Sequence, residues 1–337
     1  MAFPTRNSVI RGKQEGTYGT DPTTGVADAI LTLGQPVIQP QLHTLEAEEM
    51  AGTLGEHHSH AGKRWAKLTF DTFLRSSGTA HEGTVEPRLS RWFQACGFTQ
   101  TTGGTGQVGW YRLAQSSDWT NHKSIWVDGY YGGGDDVTTD TVKYVLSGGR
   151  GSFSFASVAG EIPKLSFEMN GLYTATAATT WPATNTFETT TPMVGLGVAW
   201  TGLDSTMTAN TAFLEFNFDM GIEAVPQDSA GVTTGVNRTY LTKWSVSGNL
   251  VLQANIAMIP ILETEITART GKALQVTYVQ PDDANEYFLV KFASLMWEGM
   301  YDLGDKDGIR VVNMPFKAYE LTGDDTVTMQ FGAPTIT

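Results

Sequence analysis

The chain has 337 residues, of which 17% are charged, and its formal net charge is −13. Such a length is typical of two domains rather than one core. The acidic balance argues against a protein that grips nucleic acid, because binding to phosphates needs clustered Lys and Arg. The single cysteine, Cys96, excludes an intrachain disulfide, and no segment predicts a secretion signal or a transmembrane helix.

Glycine and proline recur throughout residues 1–40. Both residue types interrupt regular structure, and here they are spread along the segment rather than concentrated in one turn. The composition predicts an extended N-terminal arm over residues 1–40.

Alternation of apolar and polar residues with a period of two dominates the chain after this arm. One wet face and one buried face is the pattern of antiparallel sheets. The expected buried positions are Leu68, Phe70, Thr72 and Leu74, then Leu165, Phe167 and Met169, then Leu214, Phe216, Phe218, Met220 and Ile222, and finally Val327, Met329 and Phe331.

Two segments instead have helical spacing. In "EPRLSRWFQACGF" the apolar positions fall at i, i+3, i+4 and i+7, with Pro87 near the start and Gly97 past the end. In "IPILETEITARTGKA" Pro260 comes early and Gly271 comes at the stop. The sequence therefore predicts two short α-helices, over 86–97 and near 260–271.

Both halves of the chain have the same order of parts. An acidic strand is followed by a loop ending in basic residues, a strand, a helix and a pair of strands. We therefore predict a mainly β fold of two tandem antiparallel β-sandwich or barrel domains, each with one short α-helix, spanning 41–175 and 193–337. The Thr- and Ala-rich segment 176–192 is the predicted linker.

The stretch "LGEHHSHAGKRW" resembles a metal site, because three histidines follow Glu56 within four residues. Zinc needs ligands that converge on one point, usually with a second segment to supply the rest, and the other histidines are scattered singly. The interpretation favoured from the residues alone is a cluster of solvated loop residues rather than a metal site.

Other candidates for chemistry have ordinary structural interpretations. "DLGDKDGIR" fails the calcium-loop pattern, because counting back from Gly308 puts Leu303 at the first ligand position. It predicts a tight turn between two strands. Cys96 lies on the apolar stripe of its helix, which favours packing. No catalytic constellation emerges, so the sequence predicts neither an enzyme nor a cofactor.

Several segments resemble the major tail tube proteins of long-tailed bacteriophages. The most specific is "GGRGSFSFASVAGEIPKLSFEMNGLYTA". The opening "EGTYGTDPTTGVADAILTLG" and the helix segment ending in "ACGF" are also similar to that family. "FNFDMG", "WSVSGNLVL" and "DKDGIRVVNMPF" fit the second half less tightly.

The resemblance implies a structural protein of the virion tail, assembled in the host cytoplasm. Its relatives form rings of β-sandwiches whose inner sheets join into one barrel, and the rings stack into the tube through which the genome leaves. The implied partners are other copies of the chain, a tape-measure protein and the tail-terminator and tail-tip proteins. DNA would pass through without specific binding, and no membrane is involved.

Two sets of site residues accompany this interpretation. The polar faces of the acidic strands are expected to face the lumen, with candidates Glu46, Glu48, Glu215, Asp219 and Glu223. The long loops are expected to contact the next ring, with candidates Glu56, His57, His58, His60, Lys63, Arg64, Asn237 and Arg238.

Two alternatives stay open at this stage. If each half is one tube-type sandwich, three chains close a ring with pseudo-sixfold symmetry; if only one half is, six chains are needed. The trimer is favoured because each half has its own acidic strand and helix. A carbohydrate-binding β-sandwich is the rival class, and it predicts a monomer with an exposed aromatic platform.

Overall fold

A computed structural model gives the fold of most of the chain. It describes residues 7–46, 59–76, 86–103, 110–132, 141–182, 184–204, 211–269, 271–282 and 286–332. Strands account for 58% of the structure and all paired strands are antiparallel, so the chain is mainly β, as the alternation predicted.

The strands and helices of the described residues are as follows. The first part contains β1 (Ser8–Gln14), β2 (Ala29–Ile30), β3 (Leu33–Glu46), β4 (Ser59–Phe73), α1 (Arg88–Ala95), β5 (Phe98–Gly103), β6 (Trp110–Gln115), β7 (Ile125–Gly132), β8 (Thr141–Val158) and β9 (Lys164–Thr179). The second part contains β10 (Ala199–Thr201), β11 (Phe213–Asp219), β12 (Glu223–Asp228), β13 (Val236–Lys243), β14 (Ser247–Gln253), α2 (Met258–Ala268), β15 (Lys272–Val279), β16 (Tyr287–Trp297), β17 (Asp302–Lys306), β18 (Ile309–Tyr319) and β19 (Val327–Gly332).

Eight strands form one continuous layer, which we call the long sheet. Its order is β3–β4–β9–β8–β11–β14–β18–β17. The first four strands come from the first half of the chain and the last four from the second half. The two sets are joined where β8 pairs with β11, with Ser154 opposite Asp219 and Val158 opposite Glu215.

A second layer covers the long sheet. Its order is β5–β6–β19–β16–β15–β10, so it also combines strands of both halves. Aromatic side chains fill the space between the layers: the ring of Phe155 on β8 lies 6.2 Å from Phe288 on β16, and Phe216 on β11 lies 6.0 Å from Phe292. The described residues thus form one β-sandwich core that runs through both halves.

The alternating positions predicted to be buried are confirmed in all four segments, apart from Leu214, which is half-buried. Both predicted helices are also confirmed, and α1 closes the core over the first four strands. The ring of Trp92 meets Phe70 at 4.6 Å, and Phe93 meets Phe153 at 4.8 Å. Cys96 at the end of this helix is 1% exposed and burial raises the pKa of its thiol, as expected for a packing residue.

The first 40 residues are more closely tied to the sheets than an arm. All seven residues of β1 pair with β7, and Ile10 is fully buried. The boundary placed at residue 40 falls inside β3, since Leu33–Glu46 is one strand paired with β4. Gly and Pro did not prevent strand formation here, because β2 and β3 lie at sheet edges.

The segment proposed as a linker is also held in place. Its first residues belong to β9, which runs to Thr179. Further along, the Arg11 guanidinium donates to the Thr184 carbonyl at 2.8 Å, and Arg88 donates to the Thr186 carbonyl at 2.5 Å. The carboxylate of Glu188 accepts the backbone N–H of Arg88 at 3.0 Å. Arginines of the first half therefore fix this segment along its length.

Candidate assembly surfaces

The outer face of the long sheet is polar across six strands. The side chains opposite the buried positions are hydroxyls, amides and charges, for example Thr69 on β4, Ser166 on β9, Ser154 on β8 and Asn217 on β11. The face continues without a break from the first half to the second, because β8 and β11 are hydrogen-bonded neighbours. We call it the polar face.

Charges on the polar face are of both signs, with a small excess of carboxylates. Its described residues include four lysines and five carboxylates: Lys67, Lys164, Lys306 and Lys317, with Asp71, Glu168, Glu215, Asp219 and Asp302. Three pairs are in contact, with Nζ–O distances of 2.7 Å for Lys67–Glu168, 2.7 Å for Lys164–Asp71 and 2.6 Å for Lys306–Glu215. Most of the excess negative charge of the chain therefore lies elsewhere.

The predicted acidic candidates occupy different places. Glu215 and Asp219 lie on the polar face of β11, where Glu215 has Lys306 as its partner and Asp219 accepts the backbone N–H of Gly221 at 2.8 Å. Glu223 is exposed at the start of β12, opposite Lys243. Glu46 is exposed at the end of β3, beyond the region where β4 pairs with β9. Glu48 lies outside the described residues.

A two-stranded ribbon made of β12 and β13 folds back over the first half, and we call it the crossing ribbon. Asn170 on β9 donates to the Ala224 carbonyl at 3.0 Å, and the Arg64 backbone N–H donates to the Thr234 carbonyl at 2.8 Å. Lys63 Nζ contacts Asp228 at 2.9 Å. The ribbon therefore ties the second half to β4 and β9 as well as to β8.

An aromatic ring secures this ribbon. The hydroxyl of Tyr18 accepts the backbone N–H of Thr239 at 2.6 Å, and Thr239 is fully buried. The guanidinium carbons of Arg238 and Arg150 lie 4.7 Å and 5.4 Å from the ring centroid, a cation–π arrangement. Burial raises the pKa of Tyr18, so its hydroxyl stays neutral. Gly148 is needed beside it, since a Cβ there would lie 2.4 Å from the ring.

The residues next to Tyr18 fix its position. The buried carboxylate of Glu15 accepts the backbone N–H of Gly19 at 2.8 Å and that of Gly148 at 2.7 Å, and the Ser124 hydroxyl at 2.6 Å. Arg150 donates to the Thr239 carbonyl at 3.0 Å. The segment "EGTY" and the segment "GGRG" thus meet at one junction with β13.

A second two-stranded ribbon is formed by one end of the β3–β4 pair, and we call it the distal ribbon. It consists of residues 42–46 of β3 and 59–64 of β4, beyond the last β4 residue that pairs with β9. Leu42 and Leu45 on it are 52% and 51% exposed. The distal ribbon therefore exposes two leucines beyond the region that β9 covers.

The loop candidates lie near these ribbons. His60 is exposed on the distal ribbon. Lys63 contacts Asp228 of the crossing ribbon, and Arg238 of the crossing ribbon lies over the Tyr18 ring. Asn237 is exposed on β13. Arg64 places its guanidinium 5.6 Å from the Tyr173 ring. Glu56, His57 and His58 lie outside the described residues, so the interpretation of the histidine cluster stays a prediction.

A cleft of about 290 Å³ lies beneath the free edge of β3. It is lined by Gln35, Pro36, Val37, Ile38, Tyr131, Val142 and Tyr144. The backbone N–H of Ile38 points away from β4 and donates to the Tyr131 hydroxyl at 3.2 Å. Among the described strands, β3 pairs only with β4, and at the other end of the long sheet β17 pairs only with β18.

Within the described ranges, no three His, Cys, Asp or Glu side chains are arranged to hold a metal ion. No α-helix in this part of the chain is long and apolar enough to span a membrane. The turn predicted in "DLGDKDGIR" is confirmed, since Asp307 and Gly308 join β17 to β18.

Sequence reasoning missed the junction around Tyr18. Its residues are more than 100 positions apart, and nothing in the spacing of one segment reveals the other. The only signal was that "EGTYG" and "GGRG" both belong to the segments that resemble the tail tube family. No protein-family model matches the chain, and no curated protein matches it significantly.

Proposed function

We propose that this chain is the structural subunit of a tail tube of the long-tailed bacteriophage type. The observation that carries the proposal is the long sheet: a continuous antiparallel layer with one buried face, one polar face and a free strand at each end. A sheet with two free edges is a hazard for a monomer, whereas a closed ring of copies protects every edge.

The strand order of the long sheet supports a duplicated subunit. In the first half the order is β3–β4–β9–β8, and in the second it is β11–β14–β18–β17. In each group of four, the strands at the first and second positions of the sheet also come first in the chain, and a helix and a hairpin follow them. The next two strands of the group in the chain then occupy the fourth and third positions of the sheet. The two halves therefore correspond strand by strand, with β3 matching β11 and β8 matching β17.

This correspondence favours a ring of three chains. Each chain contributes eight strands, so three contribute 24, arranged as six similar groups of four. At about 4.8 Å per strand, 24 strands give a barrel roughly 37 Å across before strand tilt widens it, which leaves room for a DNA duplex. Six chains would double the strand number and the width.

The polar face is then the wall of the lumen. Three of its four described lysines are in contact with carboxylates, so a passing phosphate backbone meets no uncompensated cluster of positive charge. The wall is consistent with DNA that moves through without being held. Tape-measure and tail-end proteins are the further partners that this proposal implies.

Electron microscopy of the purified full-length protein tests the proposal. The expected result is rings or stacked tubes, with three chains per ring in a cryo-EM reconstruction and the eight strands of each long sheet lining the bore. A protein that stays monomeric at high concentration, and binds a sugar array instead, would support the rival carbohydrate-binding class. Six chains per ring would refute the duplicated subunit.

A further inference from the structure

The seam between the two halves of one chain has two components. The first is a strand ladder, since β11 pairs with β8 over Glu215–Asp219. The second is a side-chain contact beneath the ladder, where the ring of Phe155 on β8 stacks on Phe218 of β11 at 5.4 Å and lies 6.0 Å from Phe216. If copies meet edge to edge, β17 of one copy approaches β3 of the next, as β8 approaches β11.

The ladder component cannot be repeated in full over Pro36–Pro40 of β3, because this stretch lacks backbone donors. Residues 36, 38 and 40 alternate along the strand, so their backbone nitrogens point to the same edge, away from β4. Pro36 and Pro40 have no N–H to donate, and the N–H of Ile38 is already bonded to the Tyr131 hydroxyl. The stretch that corresponds to the paired part of β11 therefore offers no free donor to a new strand.

The side-chain component can be repeated. On β17, Leu303 lies opposite Val312, which is fully buried, so Leu303 faces the same inner side of the sheet. Yet Leu303 is 42% exposed, because β17 is an edge strand. The cleft beneath β3 lies on the inner side too, and its walls Ile38, Tyr131, Val142 and Tyr144 are largely apolar.

We propose that Leu303 of a second copy of this chain enters the cleft beneath β3, and that the two copies are joined there by side chains rather than by a strand ladder across Pro36–Pro40. This inference rests on the proposed ring. It differs from the intrachain seam, where Phe155 and the β8–β11 ladder act together. The seam between copies is consequently the weaker of the two, and over Pro36–Pro40 a free chain offers no backbone donor with which to pair out of place.

Cysteine cross-linking tests the contact. The double variant Ile38→Cys with Leu303→Cys, which pairs two positions on the inner side of the sheet, should form disulfides between chains in assembled protein, and oxidation should produce covalent species up to a closed trimer on a non-reducing gel. The two positions lie at opposite edges of an eight-stranded sheet, about 34 Å apart, so they cannot cross-link within one chain. The native Cys96 is buried and does not compete.

Two controls make the result specific. Ile38→Cys alone should give no ladder of bands, and Leu303→Cys combined with Leu196→Cys, an exposed leucine away from the cleft, should give far less cross-linking. If rings form by electron microscopy but the 38–303 pair does not cross-link above this control, the contact is refuted while the proposed ring stands. If no rings form at all, the proposed function fails first.

The lack of backbone donors at Pro36 and Pro40 has its own test. Replacing Pro36 and Pro40 by Thr restores two backbone donors on the free edge of β3. In sedimentation velocity, the unassembled double variant should form oligomers at lower protein concentration than the unchanged chain. An unchanged concentration dependence, in a variant whose circular dichroism is native, would show that these prolines do not restrain strand addition.

Discussion

Replacing Tyr18 with Phe isolates one hydrogen bond that holds the crossing ribbon. The aromatic ring remains, so the contacts with Arg238 and Arg150 at 4.7 Å and 5.4 Å are kept. What is lost is the acceptor for the Thr239 N–H, a 2.6 Å bond in a residue with no exposed surface. Leaving a buried donor unsatisfied costs about 1–3 kcal/mol.

The cost should appear as local opening of β13, because the ribbon is a two-stranded sheet separate from the others. Native-state hydrogen exchange measures it directly. The amides of Val236–Lys243 should exchange roughly 5- to 150-fold faster in the variant, the range that corresponds to about 1–3 kcal/mol.

Tyr319→Phe is the matched control, since Tyr319 is 37% exposed and water can satisfy its surroundings. It should leave exchange in β13 unchanged. If Tyr18→Phe also leaves β13 exchange at the control value, the Tyr18 hydroxyl does not hold the ribbon. If instead every strand exchanges faster by the same factor, the bond stabilises the whole fold and the ribbon does not open by itself.

Three further outcomes are expected. Burial lowers the pKa of His122, so as pH falls below about 6.5 the unfolded chain binds a proton at this residue before the folded chain does. The free energy of unfolding therefore decreases as pH falls. In denaturant titrations at pH 7.5 and pH 5, His122→Asn should reduce this decrease. Gly151→Ala should destabilise the protein by about 3 kcal/mol or more in the same titration, because a Cβ there lies 1.9 Å from the Glu168 carbonyl oxygen. Glu215→Lys should cost at most about 1 kcal/mol by removing an exposed pair with Lys306, but assembled tubes should retain DNA at low salt and release it at high salt; release unaffected by salt would place Glu215 away from the lumen.

Local sequence pattern predicted the elements whose signal lies in their own residues and does not depend on which strand they pair with. Alternation identified β4, β9, β11 and β19 because a strand with one buried face imposes a period of two on its own residues. The helix around Trp92 was predicted because its apolar stripe and flanking Pro87 and Gly97 all lie within one short segment. Such signals are complete within about ten residues.

Pairing between distant strands left no comparable signal. The β8–β11 junction joins residues about 60 positions apart, and β1 was taken for part of an arm because its partner β7 is more than 100 residues away. The charge of the candidate surface was not predicted for the same reason. Glu215 was recognised as acidic, but its neutralising partner Lys306 lies 91 residues later in the sequence. Charge on one strand does not predict the charge of a surface when neighbouring strands supply the counter-ions.

The position of β19 has a consequence for how the chain is made. This strand lies between β6 and β16, yet it begins 212 residues after β6 ends, from Gln115 to Val327. A ribosome adds roughly 5–20 residues per second, so the edge of β6 waits about 10–40 s for its partner. The first half therefore cannot complete its share of the second layer during its own synthesis. A nascent chain that already contains the edge strand β3 is still an incompletely folded subunit.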